Sequence, residues 1–359
     1  MNTPRSPYKG LAAFGDSALD AMLFFGRERE RDLVIANMTA TRLTLLYGPT
    51  GVGKSSLLNA GVARTLREDP ETRRVLLLNS WLDDRTDELR AAVADSADGY
   101  VYVILDQFEE FFLYHDVDGP FGTELAALLG DRGLRVNVLL SLREDALAVL
   151  DGFKGRIANL YGNSLRLDHL DRECGRAAVL GPLGAFEQVT GEHVEAEPEL
   201  VEAVLDEVAT GRLELVEGGR GQAEGEPGAE HIEAPFLQLV LERLWDAERE
   251  AGSDTLRLGT LVALGGAEAI VREHLDRALA GLASTQKDVA ASIFDRLVTP
   301  SGTKIAHRAA DLAEYASVDE AELGTVLEAL DHERILREVD GGNGGGPRYE
   351  IFHDVLADA

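Results

Sequence analysis

Between an apolar run at residues 43–47 and a helical pattern that starts at Ser55, the chain reads Gly48-Pro49-Thr50-Gly51-Val52-Gly53-Lys54-Ser55. Few folds accommodate such a segment. Glycines at this spacing let successive backbone N–H groups turn inward, and the helix that follows points its positive dipole end at the same place. The run fits GxxxxGK[ST] in the context that pattern requires, strand before and helix after. It predicts a phosphate cradle formed by Gly48, Pro49, Thr50, Gly51, Val52, Gly53, Lys54, Ser55 and Ser56. Lys54 is expected to neutralise the terminal phosphates of a nucleotide, and the Ser55 hydroxyl to coordinate Mg2+.

The rest of the chain fits a sheet around that loop. Residues 43–47, 75–78, 100–105, 136–142 and 165–167 read as buried strands, with helical periods at 55–67, 85–94, 121–129 and 144–150 between them. Strands alternating with helices imply a parallel sheet covered on both faces, hence an α/β domain over residues 1–170. Upstream, a glycine at position 26 interrupts an otherwise helical stretch, which resumes over 29–38. From Asp171 onward strand signals vanish, and apolar residues recur at helical spacing over 171–179, 197–209, 234–251 and 265–281. This predicts a small helical bundle over 171–283, interrupted at about 211–233 by a Gly/Glu-rich insertion too poor in apolar residues to offset its ordering entropy. Residues 284–359 read as three helices and then two short strands, 335–339 and 348–352, joined by a Gly-rich turn. That is the outline of a winged helix.

Composition excludes several functions. No run of 18 apolar residues is present, so no membrane span is expected, and the N-terminal residues lack an apolar signal-like stretch, so a cytoplasmic location is expected. The formal charge is −29, with five lysines against thirty arginines. Such a surface repels nucleic acid and anionic membranes. The single cysteine, Cys174, excludes an internal disulfide. Seven of the histidines, from His115 to His332, show no ligand spacing, so no metal other than Mg2+ is expected.

Carboxylates complete the expected site. The run Tyr100–Leu105 ends in Asp106, at the strand tip where ligands gather in parallel sheets, and Asp106 is expected to hold the Mg2+ hydration shell. Glu109 and Glu110 follow, and either could orient or deprotonate an attacking water, Glu109 being preferred; the alternative is that they cap the next helix. The next strand ends in Arg143, which can reach a γ-phosphate or pair with Glu144 or Asp145.

In this order the motifs SPYKGLAAF, LFFGRERE, GPTGVGKSSLLNAGV, VYVILDQFEEFF, LLSLRED, GPL at 181–183, APFLQLVLERLW and YEIFHDVL resemble those of the signal transduction ATPases with numerous domains, most closely their bacterial novel STAND branch. The resemblance spans nearly the whole chain. It implies that Phe25, Gly26 and Arg27 lie against adenine and ribose, that Pro182 packs near the base, and that His353 in Phe352-His353-Asp354 contacts the β-phosphate of ADP and locks a closed form. Phe352 stands where plant and animal relatives have methionine.

Taken together these readings predict a switch. ADP holds the three domains closed, ATP opens them so that protomers assemble into a homo-oligomer, and slow hydrolysis resets the state in bacterial signalling or defence, with effector and sensor modules fused or separately encoded. A DNA-binding ATPase regulator is the alternative. Against it, the helix of the winged-helix segment that would enter a groove carries Asp319, Glu320, Glu322, Glu328, Asp331 and Glu333 against one Arg334. A kinase reading lacks an arginine-rich lid.

Overall fold

Thr44, Leu45 and Leu46 are buried in succession, so both faces of this strand are covered, as in the interior of a parallel sheet. A computed structural model of the chain describes residues 4–49, 51–81, 83–94, 96, 98–209, 231–298, 305–333, 335–339 and 348–351, and it places that strand as expected. The chain divides into two units, one formed by Met1–Pro7 with Ala13–His193 and the other by Tyr8–Ala12 with Val194–Ala359.

The first unit holds five strands, β1 (Leu43–Gly48), β2 (Thr72–Leu78), β3 (Tyr100–Leu105), β4 (Val136–Arg143) and β5 (Ser164–Arg166). All five were expected, but as buried strands, whereas β5 at the sheet edge is mostly exposed and β2 only part-buried, because an edge strand is covered on fewer sides. They form one parallel sheet in the order β2-β3-β4-β1-β5. Because β4 lies between β1 and β3, the C-terminal tips of three sequence-distant strands stand side by side. The register pairs Gly48 with Arg143, and Leu105 with Leu140.

Side chains alternate across a strand, so each strand feeds two cores. On one face Leu46, Ile104 and Leu139 pack with Val52, Leu57, Leu58 and Val62 of the phosphate loop and its helix. On the other, Leu45, Val103, Leu105, Leu140 and Leu142 pack with Leu89, Leu125 and a group of buried aromatics. The helix after the loop starts at Lys54 and runs to Glu68, with a π-helical stretch at Leu57–Ala63. The segment after β4, expected as α-helix, is 3-10 helix over Glu144–Phe153.

The helix expected at 171–179 is instead Arg172–Thr190, with Asp171 capping its N-terminus by accepting from the Cys174 N–H. It passes through Pro182, which is therefore a buried interior residue and not a helix start. A proline inside a helix forfeits one backbone hydrogen bond. The apolar face of Ala178, Val179, Leu183, Ala185 and Phe186 continues in phase on both sides of it and outweighs that loss.

The second unit contains the helices Pro198–Glu207, Ala234–Glu250, Leu258–Ala263 and Gly266–Ala280. Two strands too short to leave a sequence signal, β6 (Glu195–Ala196) and β7 (Thr255–Leu256), pair in parallel. The core of the insertion, 210–230, lies outside the described residues. Its expected C-terminal end does not behave as loop: Ile232 is fully buried and bridges to Ala209, so burial of one apolar side chain ends the insertion sooner. Glu248, also buried, accepts from the Arg257 guanidinium and the Thr260 hydroxyl. Tyr8 is buried edge-on to Trp245, with ring centroids 6.4 Å apart.

The same unit continues through Ser284–Leu297, Ala309–Ala316 and Glu320–His332 into an antiparallel sheet of β8 (His307–Arg308), β9 (Leu336–Val339) and β10 (Arg348–Ile351), in the order β8-β10-β9. The hairpin was expected; β8, two residues long, was not. No described helix is long and apolar enough to cross a membrane.

Candidate functional site

The phosphate loop leaves β1 and turns back on itself. Gly51 and Gly53 have φ of 75° and 95°, a region where a side chain is strained, which is why glycine recurs here. Lys54 opens the helix, and its Nζ donates to the carbonyls of Gly48 (2.8 Å) and Pro49 (2.9 Å). Burial pushes the Lys54 pKa down, against the opposing pull of Glu109 and Asp106, so these three charges share one neighbourhood. Ser56, one residue past the expected Mg2+ ligand Ser55, accepts at Oγ from the Phe14 N–H (3.2 Å). Thr50 lies outside the described residues.

Asp106 stands at the tip of β3 and is 1 % exposed, yet neither carboxylate oxygen has a partner among the described residues. Its backbone is fixed from two sides, the N–H donating to the Leu78 carbonyl (2.8 Å) and the carbonyl accepting from the indole N–H of Trp81 (2.9 Å). The next residue, Gln107, takes a left-handed conformation at φ 50° and turns the chain sharply into the 3-10 turn Phe108–Glu110. Strain of this kind persists only where packing enforces it. Phe108 and Phe111, both fully buried and stacked at 5.0 Å, are gripped by Trp81, Phe112 and Phe153.

That aromatic anchor holds Glu109 inward at 7 % exposure with Oε2 unpartnered among the described residues. Burial raises its pKa to about 7, although Lys54 pulls the other way. A carboxyl group that titrates near neutrality can take a proton from water. Glu110 is only half-buried. Arg143, level with Gly48, forks onto the Asp145 carboxylate, which is the ion pair expected as its alternative to a phosphate.

The upstream segment is built against the same site. Gly26 has φ 85°, and a Cβ there would lie 2.4 Å from the Cys174 carbonyl oxygen. Phe25 lies across Gly181, where an added Cβ would fall 2.4 Å from its ring, so the segment and the helix Arg172–Thr190 are in close contact. Arg27 is 4 % exposed and donates to the carbonyls of Val52 (3.0 Å) and Asp168 (2.8 Å) and to Glu30. Its guanidinium thus braces the phosphate loop against the chain leaving β5. Neither Trp81 nor this brace was foreseen; a tryptophan just past the end of β2 was the only trace of the first.

The arrangement suits Mg2+. That cation keeps much of its water shell and takes few protein ligands, so a buried carboxylate with two open oxygens in the neighbourhood of Lys54, together with the serine that follows Lys54 in the loop helix, is a fitting donor set. No group of three or more His, Cys, Asp or Glu able to hold a metal occurs among the described residues. Phe352, His353 and Asp354 lie outside those residues.

The chain matches the family model described as novel STAND NTPase 1 over residues 7–359. No curated protein matches it. Among solved structures it is similar to the ORC2 protein of Aeropyrum pernix in ADPNP–ADP complexes, with a TM-score of 0.48 and 14 % identity over 92 % of this chain and 91 % of that one. It is also similar to Drosophila ORC bound to DNA (TM-score 0.44, 11 % identity, 93 % and 86 % covered). A third is the Walker-type ATPase of Pyrococcus abyssi (TM-score 0.40, 18 % identity, 96 % and 97 % covered).

Proposed function

The chain belongs to the novel STAND NTPase family, and from that premise we propose that it is an ATP/ADP-dependent switch, hydrolysing ATP slowly and coupling the bound nucleotide to domain opening and self-assembly. The observation that carries the hydrolytic part is the pair of buried carboxylates at the tip of β3, Asp106 with both oxygens open and Glu109 with its pKa near 7. Ser55 and Asp106 would hold Mg2+, which when bound supplies positive charge to the β- and γ-phosphate oxygens. Lys54 exchanges the Gly48 and Pro49 carbonyls for those phosphates. Glu109 accepts the proton of the water whose oxygen attacks the γ-phosphorus while the bond to the β–γ bridging oxygen breaks. Arg143, released from Asp145, meets the charge on the γ-phosphate.

The switch is read from what shares the polypeptide with that site. We assign residues 1–170 to nucleotide binding, 171–283 to a helical lid and 284–359 to a winged helix. Three helices with an antiparallel hairpin over the last of these support the winged-helix assignment. His353, by family resemblance, contacts the β-phosphate of ADP from there, with Pro182, Phe25, Gly26 and Arg27 around the base. Bacterial signalling or defence, with fused or separate sensor and effector modules, is the setting that this family suggests. The DNA-binding alternative is disfavoured by the exposed acidic face of Glu320–His332, where Glu320, Glu322, Glu328 and Asp331 all reach solvent.

Native mass spectrometry and light scattering with ADP and with a non-hydrolysable ATP analogue test the proposal. The chain should retain ADP as a compact monomer and change mass or shape with the analogue. At a hundredfold excess over Kd, nucleotide should stabilise it by about 2.7 kcal/mol, and Lys54→Ala should abolish that gain. Absence of binding, or identical mass and shape in both states, refutes the switch.

A further inference from the structure

Ser141 lies on β4 two residues before Arg143, fully buried, and its Oγ has no hydrogen-bond partner among the described residues. Buried strand serines ordinarily satisfy themselves on a nearby carbonyl, and one that does not is a standing cost to the folded state. What the hydroxyl faces follows from the sheet. Leu139 belongs to the core on the phosphate-loop face, whereas Leu140 and Leu142 belong to the opposite core, so Ser141 and Arg143 share the loop face with Leu139. On β3, Ile104 is on that same face, which places Asp106 there too. One step beyond the register pair Leu105–Leu140, Asp106 comes level with Ser141, and on its other side Ser141 pairs with Leu46, two residues before Gly48.

Three orphaned oxygens thus lie on the same face of neighbouring strands: Oδ1 and Oδ2 of Asp106 just past β3 and Oγ of Ser141 near the end of β4. They do not bond to one another. Lys54 and Arg143 bring positive charge, while Asp106 and Glu109 bring carboxylates. Ser141 is the neutral group that can both donate and accept, which is what a water already pinned between a cation and a carboxylate requires.

We infer that Ser141 is a positioning residue of the nucleotide site, its hydroxyl holding, together with Asp106, a water of the bound divalent cation's shell. The inference rests on the nucleotide-binding reading above and adds a residue on β4 to the metal-dependent part of affinity. Mg2+ retains several waters when bound, and fixing one of them strengthens the grip without a further charged ligand.

Calorimetric titration of ADP into the full chain, in EDTA and in Mg2+, tests it with wild type, Ser141→Ala and Ser141→Thr. Wild type should bind ADP more tightly with Mg2+. Ser141→Ala should lose about tenfold of that Mg2+-dependent gain, the worth of one hydrogen bond in a charged setting, while its metal-free affinity stays within about twofold. Ser141→Thr, which keeps the hydroxyl, should restore the gain. Because the deleted hydroxyl is unsatisfied without ligand, Ser141→Ala should melt at the wild-type temperature or up to about 4 °C higher when nucleotide-free. A merely structural serine would lower it. Equal Mg2+ gains in wild type and Ser141→Ala, equal losses with and without metal, or a lower melting temperature in the nucleotide-free variant overturns the assignment of Ser141 alone. A wild-type chain whose ADP affinity ignores Mg2+ overturns it as well, and one that binds no ADP overturns the nucleotide reading with it.

Discussion

Glu109→Gln offers a measurement that needs no substrate. The carboxyl is 7 % exposed, and burial raises its pKa from 4.5 to about 7. Its folded-state pKa lies above the unfolded one, so between those values the folded chain holds a proton that the unfolded chain has released. Stability must therefore fall as pH rises through that window. Below 4.5 the penalty is absent, and above about 7 it is complete. At about 1.4 kcal/mol per pH unit, the interval amounts to about 3 kcal/mol. Glutamine has the same shape and no charge, so the variant escapes the penalty. At pH 8 the nucleotide-free variant should exceed wild type by about 3 kcal/mol, a shift on the order of 5–10 °C for a unit of this size, and the two should converge near pH 5. Circular-dichroism melts at half-unit steps from pH 5 to 8.5 read this directly. Curves that stay parallel across the range would show that Glu109 is charged at low cost, and the burial argument for a neutral-range base would fail.

Two further substitutions probe how the site is held. Trp81→Phe keeps an aromatic ring in the cluster but removes the N–H that satisfies the Asp106 carbonyl, so it should cost about 1–3 kcal/mol in urea denaturation; a change under about 0.5 kcal/mol would refute that role. Gly26→Ala combines a φ of 85° with a Cβ 2.4 Å from the Cys174 carbonyl, so the segment Phe25–Arg27 must shift. It should cost about 2 kcal/mol or more and weaken ADP binding, whereas wild-type melting and affinity would show that the close approach is unimportant.

The strongest local signals were legible in the sequence. The glycine spacing and the lysine and serine after it specify the phosphate loop, because the backbone conformations at Gly51 and Gly53 need glycine wherever the loop sits. Five apolar runs marked five strands; β1, β3 and β4 are covered on both faces, as parallel strands ordinarily are, whereas β2 is part-buried and β5, at the sheet edge, is mostly exposed. Asp106 and Glu109 were visible because a carboxylate after an apolar strand stands out against it. Other features depended on strand order, which no single segment encodes. Placing β4 between β1 and β3 sets Arg143 beside Gly48 and brings Ser141 level with Asp106, a relation between residues 35 positions apart that hydropathy does not carry. The long reach of the helix through Pro182, the Arg27 brace on Val52 and Asp168, and the Trp81 bond to Asp106 likewise arise from partners distant in sequence. Local chemistry announced a nucleotide site; packing decided how its carboxylates are buried, what fixes their backbone and which of their oxygens are left open.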